Sequence, residues 1–262
     1  MINELYKRTL YTTKAKWIIH EIFEYDISKA NISILLQNGC ITDKEYVMYS
    51  QMGKLQRQSA IGNLQKNPKY SAIINAGFEN ARKCLIQQNN IAEDEIVSIK
   101  KDALCVLKRL DYTDFGNIHF SLKSVFSMFI MCMKLEIYFY YDERNDNYDI
   151  QIKGISDDLL PLHETFMSMI CEILRLVQQK NLPAAMQFMT QIRQQYSAGD
   201  LPLECYREFN VNSSYRLKGM DYGVLDLSPE EKVTLKPFIE TGYNNMFLLE
   251  LHKILMEMMF TK

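Results

Sequence analysis

Several familiar signals are missing from this sequence, and each absence narrows what the protein can be. The six cysteines (Cys40, Cys84, Cys105, Cys132, Cys171 and Cys205) stand singly, with no CxxC and no histidine at metal-ligand spacing. That argues against a zinc-ribbon or thioredoxin-like motif and for reduced, mostly buried thiols in a cytoplasmic setting. The four histidines (His20, His119, His163 and His252) are scattered. None sits beside a Ser or Cys in a pattern that suggests a triad, so all four read as structural. The net charge is only −2, which gives no global positive field to hold nucleic acid. Any such partner needs a local basic groove, or a protein partner that completes one. No apolar run is long enough for a bilayer: residues 125–133 (VFSMFIMCM) are followed by Lys134 and Glu136 and read as a core strand. The first residues are polar and basic with no secretory apolar segment, which fits a cytoplasmic protein with no membrane contact. No internal repeat or low-complexity segment is visible.

What remains is an ordinary globular composition, 47% apolar and 24% charged over 262 residues, enough for one large domain or two modest ones. The organising stretch is 95–108 (EIVSIKKDALCVLK). Two β-branched and apolar runs meet at a charged break, which predicts a tight hairpin with Asp102 at its tip. A surface turn with solvated charges is the plainer reading of the same residues. Upstream, residues 20–26 (HEIFEYD) form another candidate strand that ends in Asp26. Two acids at the ends of adjacent strands can share a divalent metal, the minimum apparatus for nucleotidyl transfer. Asp26 also suits a simple N-terminal cap for the segment that follows.

Helix signals fill the interval. Gly39 is placed as a C-cap. Thr42 and Glu45 form a capping-box sequence, predicting one helix from there to about Leu64. Asn67-Pro68 starts another, in which Ile74, Phe78, Ala81 and Leu85 share a face. After the central hairpin, the runs NIHFSL, VFSMFIMCM, LEIYFYYD and NYDIQIKG all read as strands. Residues 1–154 therefore predict an α+β domain, an antiparallel sheet with helices on one face, carrying a helical hairpin at about 42–90. From 155 to 262 the pattern is helical: an amphipathic run over 156–180, a second over 182–196, a capped start at Ser228-Pro-Glu-Glu231, and a closing helix with Phe247, Leu251, Ile254 and Leu255.

Together these pieces resemble a family B DNA polymerase reduced to palm, short fingers and thumb, over roughly residues 20–215. The first palm motif, D-x-x-S-L-Y-P-S, is matched in part by Asp26-Ile-Ser-Lys-Ala-Asn-Ile-Ser33. The fingers motif, K-x-x-x-N-S-x-Y-G, is matched by Lys54-Leu-Gln-Arg-Gln-Ser-Ala-Ile-Gly62, with Gln58 for Asn and Ile61 for Tyr. The third, Y-x-D-T-D-S, corresponds to Ser98-Ile-Lys-Lys-Asp-Ala103 and keeps only its second acid. Lys153-Gly154-Ile155 looks like the strand step into the thumb, and 182–213 resembles thumb helix, turn and extended segment. Colinear order carries most of the weight.

The resemblance implies an enzyme: a DNA-directed DNA polymerase-like nucleotidyltransferase of phage or mobile-element type, using Mg²⁺ or Mn²⁺, acting on primed nucleic acid and nucleoside triphosphates in DNA replication. It implies Asp26 and Asp102 as catalytic metal ligands, with the backbone carbonyl of Ile27 as a further ligand. Lys54 would meet the triphosphate one turn from Gln58, Gly62 would admit the templating pair, and Lys134, on a strand, would contact primer. Departures accompany these matches. Asn31 stands where the family has the Tyr that excludes a 2′-hydroxyl. Lys100 replaces an acid, where it can pair with a phosphate or repel a metal. About 20 residues precede the palm-like segment, so no proofreading domain is expected. Two other readings compete: a catalytically degraded palm–thumb protein acting as a nucleic-acid- or protein-binding accessory factor, and an unrelated α+β interaction module. On the plainer view Lys54 and Arg57 are a solvated helix face and Gly154 is an ordinary hinge.

Overall fold

Alternation along β3 (Ile22–Ile27) sets the first half of the molecule. Phe23, Tyr25 and Ile27 face one side of the sheet and are buried, leaving Glu24 and Asp26 on the other. In the computed structural model, which describes residues 4–155, 160–206, 215–217, 220–222 and 243–260, the protein is α+β, with two larger antiparallel sheets and seven α-helices among the described residues. It divides into two compact units, Met1–Lys14 with His20–Phe126 and Ala15–Ile19 with Ser127–Lys262.

In the first unit β3 is central. It pairs with β5 (Ala103–Val106) on one side and β7 (Ile118–Phe126) on the other. The six-stranded order is β1-β4-β5-β3-β7-β6, completed by β1 (Leu10–Thr12), β4 (Ile96–Lys100) and β6 (Asp114–Phe115). The apolar side of the sheet joins Ile34 and Leu35 of α1 (Ala30–Gln37) and Ile74, Phe78, Ala81 and Leu85 of α4 (Pro68–Gln88) in one core. α1 and α4 approach closely at Gly77, where a Cβ would overlap Ile34 Cγ2. No other residue fits there without displacing a helix.

The capping box is present: Glu45 N donates to Thr42 Oγ1, and Thr42 N donates to Glu45 Oε2 at 2.7 Å. Asn67 caps α4 through the Lys69 amide, with Pro68 at its first turn. The expected single helix over 42–64 is instead two, α2 (Asp43–Gln51) and α3 (Lys54–Gln65). Met52 and Gly53 adopt extended ψ values of 146° and 153°, and Arg57 Nη1 donates to the Met52 carbonyl oxygen. Glycine's weak helix propensity permits the break. Its consequence is that Lys54 opens α3 rather than lying mid-helix.

The second unit has its own sheet and core. The order is β10-β9-β8-β2, built from β2 (Trp17–Ile18), β8 (Met128–Cys132), β9 (Leu135–Asp142) and β10 (Asn147–Lys153). Ile130, Ile137, Phe139, Ile150 and Ile152 pack with Phe166, Ile170 and Ile173 of α5 (Glu164–Gln178), Met189 of α6 (Leu182–Ala198) and Phe247, Leu251 and Ile254 of α7 (Tyr243–Phe260). A small hairpin, β11 (Tyr215–Leu217) with β12 (Met220–Tyr222), is also described.

Three expectations shift. The run at 125–133 breaks at Ser127, where pairing passes from β3 to β9 and Ser127 N donates to the Phe139 carbonyl oxygen. Strands 128–153, read from sequence with the first domain, accordingly group with the helices that follow. Lys134 is not on a strand: with φ 68° it sits in the turn between β8 and β9. The capped start at Ser228 and the segment 207–213 lie outside the described residues.

Candidate functional site

The β4–β5 hairpin forms as the sequence suggests, with Lys101 and Asp102 as its two-residue turn and Lys101 at φ 37°. Register then fixes the relation between the acids. Asp26 pairs with Ala103, the residue after Asp102, and the Ile27 amide donates to the Asp102 carbonyl oxygen at 3.0 Å. The two carboxylates therefore belong to the same end of two adjacent antiparallel strands. Beyond Ile27 the chain turns into α1, and Ser33 Oγ donates back to the Ser28 carbonyl oxygen at 3.0 Å, fixing that turn. Ser121 Oγ of β7 donates to the Asp26 carbonyl oxygen at 3.2 Å.

A cleft of about 240 Å³ opens at this strand end. Asp26, Ile27, Asn31 and Asp102 line it from the sheet and α1, and Lys54 and Gln58 line it from α3. Six residues singled out in the sequence thus share one cavity. Lys29 and Arg57 line it too, which places three cations around the acid pair. Gly62, Lys100 and Lys134 do not line it. Gly62 is exposed on α3, where a Cβ would meet nothing within 4 Å, so packing within this chain does not require glycine there. Lys100 ends β4 opposite Leu10 and Ala103.

The cleft disfavours a negative charge on Asp26. Burial, and next the charge of Asp102, push the Asp26 carboxyl above its ordinary value of 3.8, opposed by Lys123. Among the described residues, Asp26 Oδ1 is buried without a hydrogen-bond partner, and so is Asn31 Oδ1. Buried acceptors are seldom left unpaired, and here both occur in a single cleft. A divalent ion would relieve the repulsion and satisfy Asp26. Among the described residues no group of three or more His, Cys, Asp or Glu could hold a metal. Two carboxylates are nonetheless the usual protein share of a Mg²⁺ site that takes its other ligands from water and substrate phosphates.

Two residues that matter here escaped the sequence reading. Lys29 lay inside a quoted motif, but its place on the cleft depends on the turn into α1. Arg82 is 2% exposed, and its Nε and Nη1 donate to the carbonyl oxygens of Tyr6 and Lys101. Its one signal was a charge within the apolar stripe of α4, four residues after Phe78.

The remaining groups are less suited to chemistry. All six cysteines are free, and burial pushes the Cys171 thiol up to about 11 and the Cys205 thiol up to about 12, so neither is a ready nucleophile. No histidine lines the cleft. A larger groove of about 650 Å³ in the second unit carries Asp149 and Glu172, but Tyr140 Oη donates to the first and Arg175 holds the second at 2.6 Å. No described helix is long and apolar enough to cross a membrane.

No curated protein matches this sequence. Residues 1–257 match the family model described as bacteriophage PBS1 gene 130 protein, and the chain belongs to that phage protein family.

Proposed function

We propose that this protein is a metal-dependent nucleotidyltransferase resembling a minimal family B DNA polymerase, extending a nucleic-acid 3′ end in the host cytoplasm. One observation carries the reading: a single cleft gathers Asp26 and Asp102 from neighbouring strand ends with Lys54, Arg57 and Gln58 from α3. Opposed acids and cations around one cavity suit a ligand that brings both a polyphosphate and a divalent ion.

In this reading Asp26 and Asp102 hold Mg²⁺ or Mn²⁺, with the Ile27 carbonyl as the further ligand the resemblance implies. A divalent ion held there would supply Lewis-acid chemistry, easing ionisation of the primer 3′-hydroxyl and offsetting charge on the triphosphate. Lys54 and Arg57 bind the polyphosphate from the opposite wall, and Gln58 offers an amide for the nucleotide. The Ile27–Asp102 backbone bond keeps the acids in register, so little reorganisation is needed when substrate arrives.

The second reading is a catalytically degraded relative that binds nucleic acid or a protein partner as a phage accessory factor. Lys100, standing where the resemblance has an acid, favours it. Primer extension on primed DNA with Mg²⁺ or Mn²⁺, comparing wild type with Asp102→Ala, separates the two. Extension that disappears in the variant supports the enzyme. Absence of extension alongside measurable nucleic-acid binding supports the accessory factor.

A further inference from the structure

Lys29 adopts φ 51° and ψ 42°, the left-handed region, immediately before α1. Side chains other than glycine, asparagine and aspartate seldom do so, because Cβ crowds the next carbonyl oxygen. Among the described residues seven non-glycine residues have positive φ, and Lys29 is the one of these that lines the cleft. Glycine would hold the same backbone without the steric cost, so the fold gives no reason for lysine. The side chain is exposed, with Nζ 6.0 Å from the centre of the Tyr46 ring. Among the described residues it has no carboxylate partner. A cation with no carboxylate partner among the described residues, on a strained backbone, at the rim of a cleft that already holds Lys54 and Arg57, fits a ligand-binding role better than a packing one.

We infer that Lys29 is a phosphate-binding residue of the cleft and sets its preference for triphosphates over shorter phosphate chains. The inference rests on the nucleotide reading above. A divalent ion neutralises Asp26 and Asp102, which leaves Lys29, Lys54 and Arg57 facing the phosphate chain. Lys29 approaches from the sheet side and Lys54 and Arg57 from α3, so an extended polyphosphate meets cations from two elements and a single phosphate does not. The Tyr46 ring limits where the ammonium can go, which reduces the entropy lost when phosphate binds.

The test is calorimetric titration of the full chain with dATP, dADP and dAMP in Mg²⁺, with thermal melting in parallel. Lys29→Gly removes the ammonium and relieves the backbone, whereas Lys29→Arg keeps the charge. Lys29→Gly is expected to weaken dATP binding about tenfold, dADP less and dAMP little, consistent with loss of one charge-assisted contact. It should melt no lower than wild type, and Lys29→Arg should bind dATP within about twofold of wild type. Unchanged dATP affinity in Lys29→Gly, an equal loss for all three nucleotides, or a lower melting temperature in both variants would overturn the inference. If wild type binds none of the three, the nucleotide reading itself fails. If Asp102→Ala abolishes binding and Lys29→Gly leaves it intact, only the role of Lys29 falls.

Discussion

Arg82 Nη1 donates to the Lys101 carbonyl oxygen at 2.6 Å, so a buried side chain of α4 braces the turn that presents Asp102. Its Nε makes a second bond, to the Tyr6 carbonyl oxygen at 2.9 Å. One guanidinium thus ties the segment before β1 and the β4–β5 turn to the helix beneath them. Burial lowers its pKa from the ordinary arginine value, but it keeps the charge, and with it the strength of both bonds.

Arg82→Met keeps most of the side-chain volume and leaves two carbonyl groups without their donor. The expected loss is about 3 kcal/mol of unfolding free energy, with Arg82→Lys intermediate because one donor is retained. Urea denaturation of the three proteins measures it. Equal midpoints for Arg82→Met and wild type would mean that the turn holds itself. If the cleft binds nucleotides as proposed, that binding should weaken in the same order, because Asp102 shares that turn.

Gly77→Ala tests the contact between α1 and α4. Its Cβ would overlap Ile34 Cγ2, and the helices cannot separate without opening the core above the sheet. A destabilisation of about 2 kcal/mol is expected despite alanine's better helix propensity. Ile34→Ala in the same chain should recover part of it, a coupling that a double-mutant cycle in urea isolates. Additive losses would show that the overlap is relieved elsewhere.

The elements that sequence predicted well were those whose signal is local. The capping box at Thr42, the Pro68 start and the stripe Ile74, Phe78, Ala81 and Leu85 depend on neighbours within a turn or two, and each is present. The hairpin at Asp102 formed for the same reason. Less legible was anything decided by partners far along the chain. Ser127 reads as mid-strand, yet it is where pairing changes from one sheet to the other. Gly53 reads as one weak residue in a long helix, and the break there brings Lys54 to the start of α3. Arg82 is only a charge within an apolar stripe until Lys101 is placed beside it. Within the cleft, motif spacing located Asp26, Asn31, Lys54, Gln58 and Asp102. Lys29 needed the turn geometry.

A pH dependence is expected from Asp26. Burial and the neighbouring Asp102 hold its carboxyl above 3.8, so the folded state binds this proton more tightly than the unfolded chain does. Its contribution to stability is complete below the unfolded value and is lost as pH rises through the raised folded one. Asp26→Asn removes that loss. Without divalent metal the variant should melt about 2–4 °C above wild type near neutral pH, a gap that closes toward about pH 4. Saturating Mg²⁺ should raise wild type and leave the variant nearly unmoved. Melting curves across pH, with and without chelator, measure all three effects. A variant that melts below wild type in chelator at neutral pH contradicts the account.

In the proposed reading, Asn31 bears on which sugar the cleft accepts. Its Oδ1 is buried without a partner among the described residues, and its side chain is short where the resemblance places a tyrosine ring. A ribose hydroxyl can donate to that oxygen, and if the amide is turned over it can accept from the nitrogen, so a hydroxyl satisfies either orientation. A deoxyribose leaves the buried group unpaired, a cost of about 1–3 kcal/mol that wild type would incur with every deoxynucleotide. Wild type is therefore expected to use ribonucleotides at least as well as deoxynucleotides. Asn31→Leu removes the polar group and should shift the ratio toward deoxynucleotides by about tenfold or more. Asn31→Tyr, if the chain still folds, should move it in the same direction by bulk. Competition between ATP and dATP, in extension or in Mg²⁺-dependent binding, reads the ratio directly. Strong discrimination against ATP by wild type would mean that another group guards the sugar and that the unpaired oxygen of Asn31 is satisfied by water.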